Sequence, residues 1–233
     1  MNILVACEES QRVTTEFRRV GHNAFSCDIV DQSGGHPEWH IMQDVVPLLN
    51  GDCKFRTTDG AEHVIKGKWD LIIAHPPCTY ISNAGARHLY PKGVLNEERL
   101  RQGIEATHFF LRILYADCDH IAVENPIPSS VYCLPPYTQV IQPYNFGHRF
   151  KKKTCLWLKG LPELQHTKEI PPEECQSTKI AGNWFNRGGK DRQRNRAKTF
   201  PGIAKAMAEQ WGGRYDLGGY TVSFVTQEAG YEI

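Results

Sequence analysis

Residues 70–74 read Asp-Leu-Ile-Ile-Ala, a short apolar run rich in branched side chains that is stopped by Pro76 and Pro77. A run of that length and composition predicts a strand buried on both faces of a sheet, and proline, which has no amide hydrogen, ends it abruptly. The next side chain is Cys78. In open α/β sheets ligands bind just beyond the carboxyl ends of the strands, so a thiol in this place is presented rather than buried. Residues 120–123 repeat the grammar and stop at Glu124-Asn125-Pro126, which puts a carboxylate on the same rim. A cysteine nucleophile and a carboxylate facing one cleft suit attack on an electron-poor heterocycle, the carboxylate meeting the ring nitrogen that gains charge.

At 233 residues the chain has room for one medium domain with at most a small appendage. A formal net charge of +1 says little about a polyanionic partner, so the distribution of charge matters more than its sum. The eight cysteines fall singly, at positions 7, 27, 53, 78, 118, 133, 155 and 175, without a C-x-x-C pair. That spacing predicts reduced thiols in a cytoplasmic protein, not a disulfide framework, and gives no zinc-ligand pattern. Residues 4–7 mimic a lipoprotein box, but with only three residues before them and acidic ones directly after, that reading is rejected. No apolar segment is long enough to span a membrane.

The chain opens with a strand over residues 2–7, a helix over 10–20 with Arg12, Arg18 and Arg19 on its exposed side, a closing Gly21, and a second strand over 23–27 ending at Asp28. Strand, helix, strand, acid is the start of a nucleotide-binding α/β unit, and Asp28 is the candidate for ribose hydroxyls. The turn after the first strand reads Ala6-Cys7-Glu8-Glu9-Ser10, without the usual glycines. Glu8 or Glu9 is placed to attract a cationic ligand there. Residues 51–67 suggest a hairpin or loop insertion. Residues 97–115 predict a long amphipathic helix whose stripe, Leu100, Ile104, Thr107, Phe110, Leu111 and Leu114, is core. Residues 83–94 have no clear periodicity, and both a lid and an ordinary surface loop stay open.

Together, Pro76-Pro77-Cys78 and Glu124-Asn125-Pro126 resemble the catalytic motifs of the DNA (cytosine-5)-methyltransferases, especially the short versions carried by phages and prophages. The resemblance spans most of residues 1–158 and returns at 199–211. It implies a Rossmann-like S-adenosylmethionine-dependent methyltransferase fold, with a mixed, mostly parallel sheet flanked by helices. It also implies S-adenosylmethionine as cofactor, double-stranded DNA as partner, no metal, and a bacterial or phage-infected cytoplasm. Carried onto this chain, the cofactor positions are Cys7, Glu8, Asp28, Ile29, Asp44, His75 and Pro76. For Asp44, a bond to the adenine amino group and a plain capping role for residues 45–50 weigh equally.

In the resembled mechanism Cys78 adds to C6 of a flipped cytosine while Glu124 engages N3 and the exocyclic amine. The thiol then needs a lowered pKa, from His75 or the basic run. Aligning Gly147 with the family's glycine puts Lys152 where the first arginine of a Gln-x-Arg-x-Arg signature belongs, and Thr154 on the second. Arg149 is its rival if the register shifts. Lys supplies charge without the guanidinium fork. Arg149, Lys151 and Lys153, with Arg187, Lys190, Arg192, Arg194 and Arg196 beside Trp184 and Phe185, are the DNA-contacting candidates. For residues 149–153 the alternative is a phosphate-contacting patch with no catalytic part, and for 187–198 a purely solvated run.

The organisation expected is a catalytic and cofactor-binding core over 1–158, a short basic recognition segment over 159–198, and a closing helix with a loosely held tail over 199–233. Two other readings stay open: a lapsed methyltransferase acting as a DNA- or protein-binding decoy, and a C5-modifying enzyme for free pyrimidine nucleotides with another one-carbon donor. A zinc deaminase is unsupported, since neither P-C-x-x-C nor a preceding H-x-E is present.

Overall fold

The computed structural model describes residues 1–177, 192–213, 215–216 and 221–222. Its centre is one seven-stranded sheet. In chain order the strands are β1 (Asn2–Ala6), β2 (Asn23–Asp28), β3 (His40–Met42), an inserted hairpin of β4 (Cys53–Arg56) and β5 (Glu62–Ile65), then β6 (Leu71–Ala74), β7 (Ile121–Asn125), β8 (Gln139–Ile141), the two-residue β9 (Phe150–Lys151), β10 (Thr154–Lys159) and β11 (Gln176–Ser177). The central sheet runs β3-β2-β1-β6-β7-β10-β8. Its first five strands pair in parallel, and β10 is antiparallel to both β7 and β8. This is the mixed, mostly parallel Rossmann-like sheet that the sequence implied. The chain moves outward from β1 through β2 to β3, then returns to β6 on the other side of β1. That reversal makes the gap between β1 and β6 the topological switch point, where a crevice opens beyond the strand ends.

The alternation of a pleated strand divides the core into two layers. Leu4 and Ala6 of β1, Phe25 and Cys27 of β2, and Ile72 and Ala74 of β6 face one side, against Phe110 and Ile113 of helix α3 (Glu97–Leu114), together with Phe55, Ile65 and Trp69. Ile3, Val5, Ala24, Leu71 and Ile73 face the other side, against Val13 and Phe17 of α1 (Arg12–Arg19) and Ile203, Ala204 and Met207 of α5 (Pro201–Trp211). With both faces covered, the strands read as continuous apolar runs instead of alternating ones, which is how β6 announced itself. The region of residues 51–67 is the β4–β5 hairpin, closed by Lys54–Glu62 and Arg56–Glu62 ion pairs.

Several local expectations are corrected. Arg12 and Arg18 are half-buried: Arg12 donates to the Thr199 carbonyl at 2.7 Å, and Arg18 donates to the Ala24 carbonyl while lying over the Phe25 and Trp39 rings. Long cationic stems cover apolar surface when their heads find acceptors. On α3, Ile104 is exposed; Gly103 takes the inward position, because the Tyr132 ring sits where a Cβ would go, and this rotates the stripe by one residue. Residues 45–50 make only a 3-10 turn over Val46–Leu48, where Pro47 withholds an amide. Among the described residues no helix is long and apolar enough to cross a membrane.

Candidate active site

The two motif loops are zipped together beyond the sheet. The β6–β7 register pairs Ala74 with Val123, so the next opposed pairs are His75 with Glu124 and Pro76 with Asn125. Side chains take over where proline ends the backbone ladder. His75 Nδ1 lies 2.9 Å from Glu124 Oε2, and Asn125 Nδ2 donates to the Pro76 carbonyl at 2.8 Å. Further out, Asn83 N donates to the Ile127 carbonyl, Ser129 N donates to the Ile81 carbonyl, and Ser82 bridges to Pro128. Cys78 is thus held in a loop clamped at both ends.

Behind that loop stands the short helix α2 (Asn83–Ala86), capped by the Ser82 hydroxyl accepting from Gly85 N. Arg99 of α3 donates to the carbonyls of Thr79 and Gly85, both at 2.9 Å, and its guanidinium lies over the Tyr80 ring. A Cβ on Gly85 would meet the Thr79 carbonyl oxygen at 2.1 Å, so the loop packs against a bare glycine. Sequence reading missed Arg99, although its place in the first turn of a long helix, beside a glycine-bearing loop, fits a residue that reaches back.

Cys78 is partly accessible. Burial raises its pKa and the negative charge of Glu124 raises it further, while Lys152 and then Arg196 pull downward without prevailing. The expectation of a lowered thiol pKa from His75 or the basic run is therefore overturned for the free protein: the His75 ring is spent on Glu124, and the cations are outweighed. Glu124 behaves in the opposite sense. Burial pushes its pKa up, but the His75 hydrogen bond and the Lys152 charge outweigh that, leaving it below the ordinary value and the carboxylate ionised at neutral pH.

The charge of Lys152, in the link between β9 and β10, reaches both Cys78 and Glu124. Lys151 and Lys153 are exposed, whereas Lys152 is half-buried between them. Its backbone amide donates to Gln142 Oε1 and its Nζ to the Arg196 carbonyl. Arg196 lies on α4 (Arg192–Ala197), and its charge also reaches the thiol. Thr154 is buried in β10 and donates to the Lys152 carbonyl, leaving it no place beside a substrate. Arg149 is largely exposed and faces Glu174 at 3.4 Å. Arg192 and Arg194 lie on the first turn of α4. Arg187 and Lys190 fall outside the described residues.

Around the switch point lie the positions read as cofactor-binding. Cys7 follows β1 with φ 58 and Gln11 precedes α1 with φ 56, so the turn keeps left-handed residues without glycine. Such conformations cost about 1–2 kcal/mol per residue and persist only where the surroundings impose them. Gln11 is fully buried and holds the loop after β2, donating to the His36 carbonyl and accepting from His36 N. Burial and the neighbouring Asp28 push the Cys7 thiol far up. Asp28, at the end of β2, accepts from Val30 N at 3.2 Å, and burial raises its pKa against the pull of that bond. Beside it Ile29 is 77% exposed, an apolar surface held open on the rim.

Two of these positions already have local partners. The Glu8 carboxylate is buried and accepts from Val13 N at 2.6 Å, Thr14 N at 3.2 Å and the Thr14 hydroxyl at 2.7 Å, so it caps α1 instead of meeting a cation with a free oxygen. A carboxylate at a helix N-terminus also complements the helix dipole. Asp44 is exposed and accepts from Val46 N at 3.0 Å, the capping geometry that the sequence left open.

No protein-family model matches the chain, and none of the curated proteins matches it. Among solved structures, it is similar to a DNA modification methyltransferase encoded within an E. coli prophage, at a TM-score of 0.43 and 15% identity over 73% of this chain and 52% of that one. It is also similar to the methyltransferase EhMeth of Entamoeba histolytica, at a TM-score of 0.39 and 12% identity over 73% of this chain and 57% of that one. The chain spans little more than half the length of either.

Proposed function

We propose that the protein is an S-adenosylmethionine-dependent DNA (cytosine-5)-methyltransferase. The observation that supports this best is the convergence of a partly accessible thiol (Cys78), an ionised carboxylate (Glu124) and a half-buried ammonium (Lys152) on one rim. The Cys78 thiolate adds to C6 of a cytosine turned out of the duplex, since neither ring face can be approached inside the stack. The proton given up by the Cys78 thiol passes to N3, so Glu124 accepts from N3–H and from the exocyclic amine, which makes C5 a nucleophile. C5 takes the methyl group, loses its proton to a base and expels the thiolate.

S-adenosylmethionine supplies an electrophilic methyl group when bound. The rim fits such a ligand at Asp28, whose carboxylate stands at the end of β2, and at the exposed Ile29 beside it. Cys7, Asp44, His75 and Pro76 complete the neighbourhood, while Glu8 contributes by holding α1. The raised thiol pKa also assigns a task to substrate binding. In the complex the exocyclic amine donates to the Glu124 carboxylate and draws its charge away from the thiol, which eases ionisation of Cys78 as its proton passes to N3. The exposed Lys151, Lys153 and Arg149 are proposed to meet phosphates, and from the sequence the same role is proposed for Arg187, Lys190, Arg192, Arg194 and Arg196.

The test offers radiolabelled S-adenosylmethionine and a 5-fluorocytosine duplex to wild type and to Cys78→Ser. A fluorine at C5 cannot leave as a proton does, so a covalent complex carrying the label is expected with the wild type alone. Label in DNA without a Cys78 adduct, or no label at all, overturns the reading. The glycine-free turn favours one rival, a lapsed enzyme that binds DNA without S-adenosylmethionine, and calorimetry with each ligand separates the two.

A further inference from the structure

The pairing that the sequence did not foresee is the one between His75 and Glu124. Both side chains are nearly buried, at 10% and 13% exposure, and lie 2.9 Å apart on opposed positions of the extended β6–β7 register. Neither can swing freely: His75 is followed by the buried Pro76, which Asn125 holds by its carbonyl, and His75 N donates to the Ala6 carbonyl. An ionised carboxylate only accepts hydrogen bonds, so the ring must offer its hydrogen from Nδ1. His75 Nε2 is buried with no hydrogen-bond partner. As a bare lone pair it is tolerated far better than an orphaned buried N–H would be. On the carboxylate, Oε2 takes the His75 bond and Oε1 has no hydrogen bond among the described residues.

We propose that His75 is a positioning residue for Glu124: its Nδ1–H fixes Oε2 and leaves Oε1 as the oxygen that meets the substrate ring. This rests on Glu124 being the ring-binding carboxylate. A clamp of this kind sets the direction of one lone pair to within the tolerance that reacting geometries demand, where an error of an ångström costs about 100-fold in rate. The charged and titratable groups facing the pair are Lys152 from the strand-entering segment, Cys78 from its own loop and Cys155 from β10. Lys152 supplies charge, and His75 supplies direction.

Two measurements on the full chain decide the matter. Histidine-labelled wild type, with His75 assigned by its absence from His75→Asn, is expected to show the Nδ1–H tautomer in nitrogen-15 spectra at neutral pH. The Nε2–H tautomer overturns the clamp whether or not the protein transfers methyl groups. In kinetics, His75→Ala is expected to lower kcat about 100-fold with KM for DNA unchanged, and His75→Asn, whose amide donates from near the Nδ1 position, to stay within about tenfold of wild type. Equal losses in both variants, or none in His75→Ala, overturn it. If wild type transfers no methyl group, the methyltransferase reading fails on its own and the spectrum still decides the clamp.

Discussion

At the scale of single residues, the site is governed by the balance of charges that Cys78 feels. Glu124 raises the thiol pKa and Lys152 lowers it, so the two carry opposite predictions. In Glu124→Gln the pH profile of Cys78 alkylation shifts to lower pH, and in Lys152→Ala it shifts to higher pH. Rate against pH with a small alkylating reagent reads both. Glu124→Gln is nonetheless expected to lose about 10²–10⁴ in kcat, because a more nucleophilic thiol does not replace the group that binds N3. A variant whose thiol becomes more reactive while its turnover collapses separates activation of the nucleophile from activation of the ring. If both alkylation profiles move the same way, the electrostatic account of the rim is wrong.

Among the elements, β9 and the residues after it carry the prediction that depends most on register. In the link between β9 and β10, Lys152 is half-buried with its charge reaching the thiol, while Lys151 and Lys153 are exposed. Lys151→Ala and Lys153→Ala are therefore expected to weaken duplex binding alike for all sequences, each reducing the salt dependence of log K by about 0.9, with Cys78 alkylation unchanged. Binding titrations at several salt concentrations check this, and a shifted alkylation profile in either variant contradicts the assigned faces. Much of this element-level arrangement was legible beforehand. Both motif strands, α1, β2, α3 and α5 announce themselves by apolar runs, periodicity and their Pro or Gly ends.

What sequence could not show was how side chains were already committed. Glu8 reads as a rim acid but folds back six residues onto Thr14; His75 reads as a thiol activator but is drawn to the carboxylate across the strand gap. Ile104 reads as core until Tyr132, from a segment without periodicity, fills the space in front of Gly103. Each miss is a long-range or side-chain choice that spacing alone does not encode.

For the molecule as a whole, stability depends on how α5 is fastened across α1 and the sheet. The N-terminus of α5 has no side-chain cap of its own, because Phe200 stands at that position. His148 supplies one from fifty-four residues away: its Nε2 accepts from Gly202 N at 2.8 Å, and Arg12, the neighbour on α1, holds the Thr199 carbonyl. A ring accepting at Nε2 must be unprotonated there, and burial, helped by the Arg12 charge, lowers the His148 pKa accordingly. Because the folded pKa lies below the unfolded one, the cap contributes fully above the unfolded value of about 6.5 and is lost as pH falls through the folded value. Glu124, also depressed, gives up its share in a separate window below about 4.5. Thermal melting is thus expected to show two descending steps on acidification. His148→Gln, whose side-chain oxygen can accept from Gly202 without titrating, should flatten the upper step and leave the lower one. An upper step that survives in His148→Gln would place the pH-sensitive fastening of α5 elsewhere.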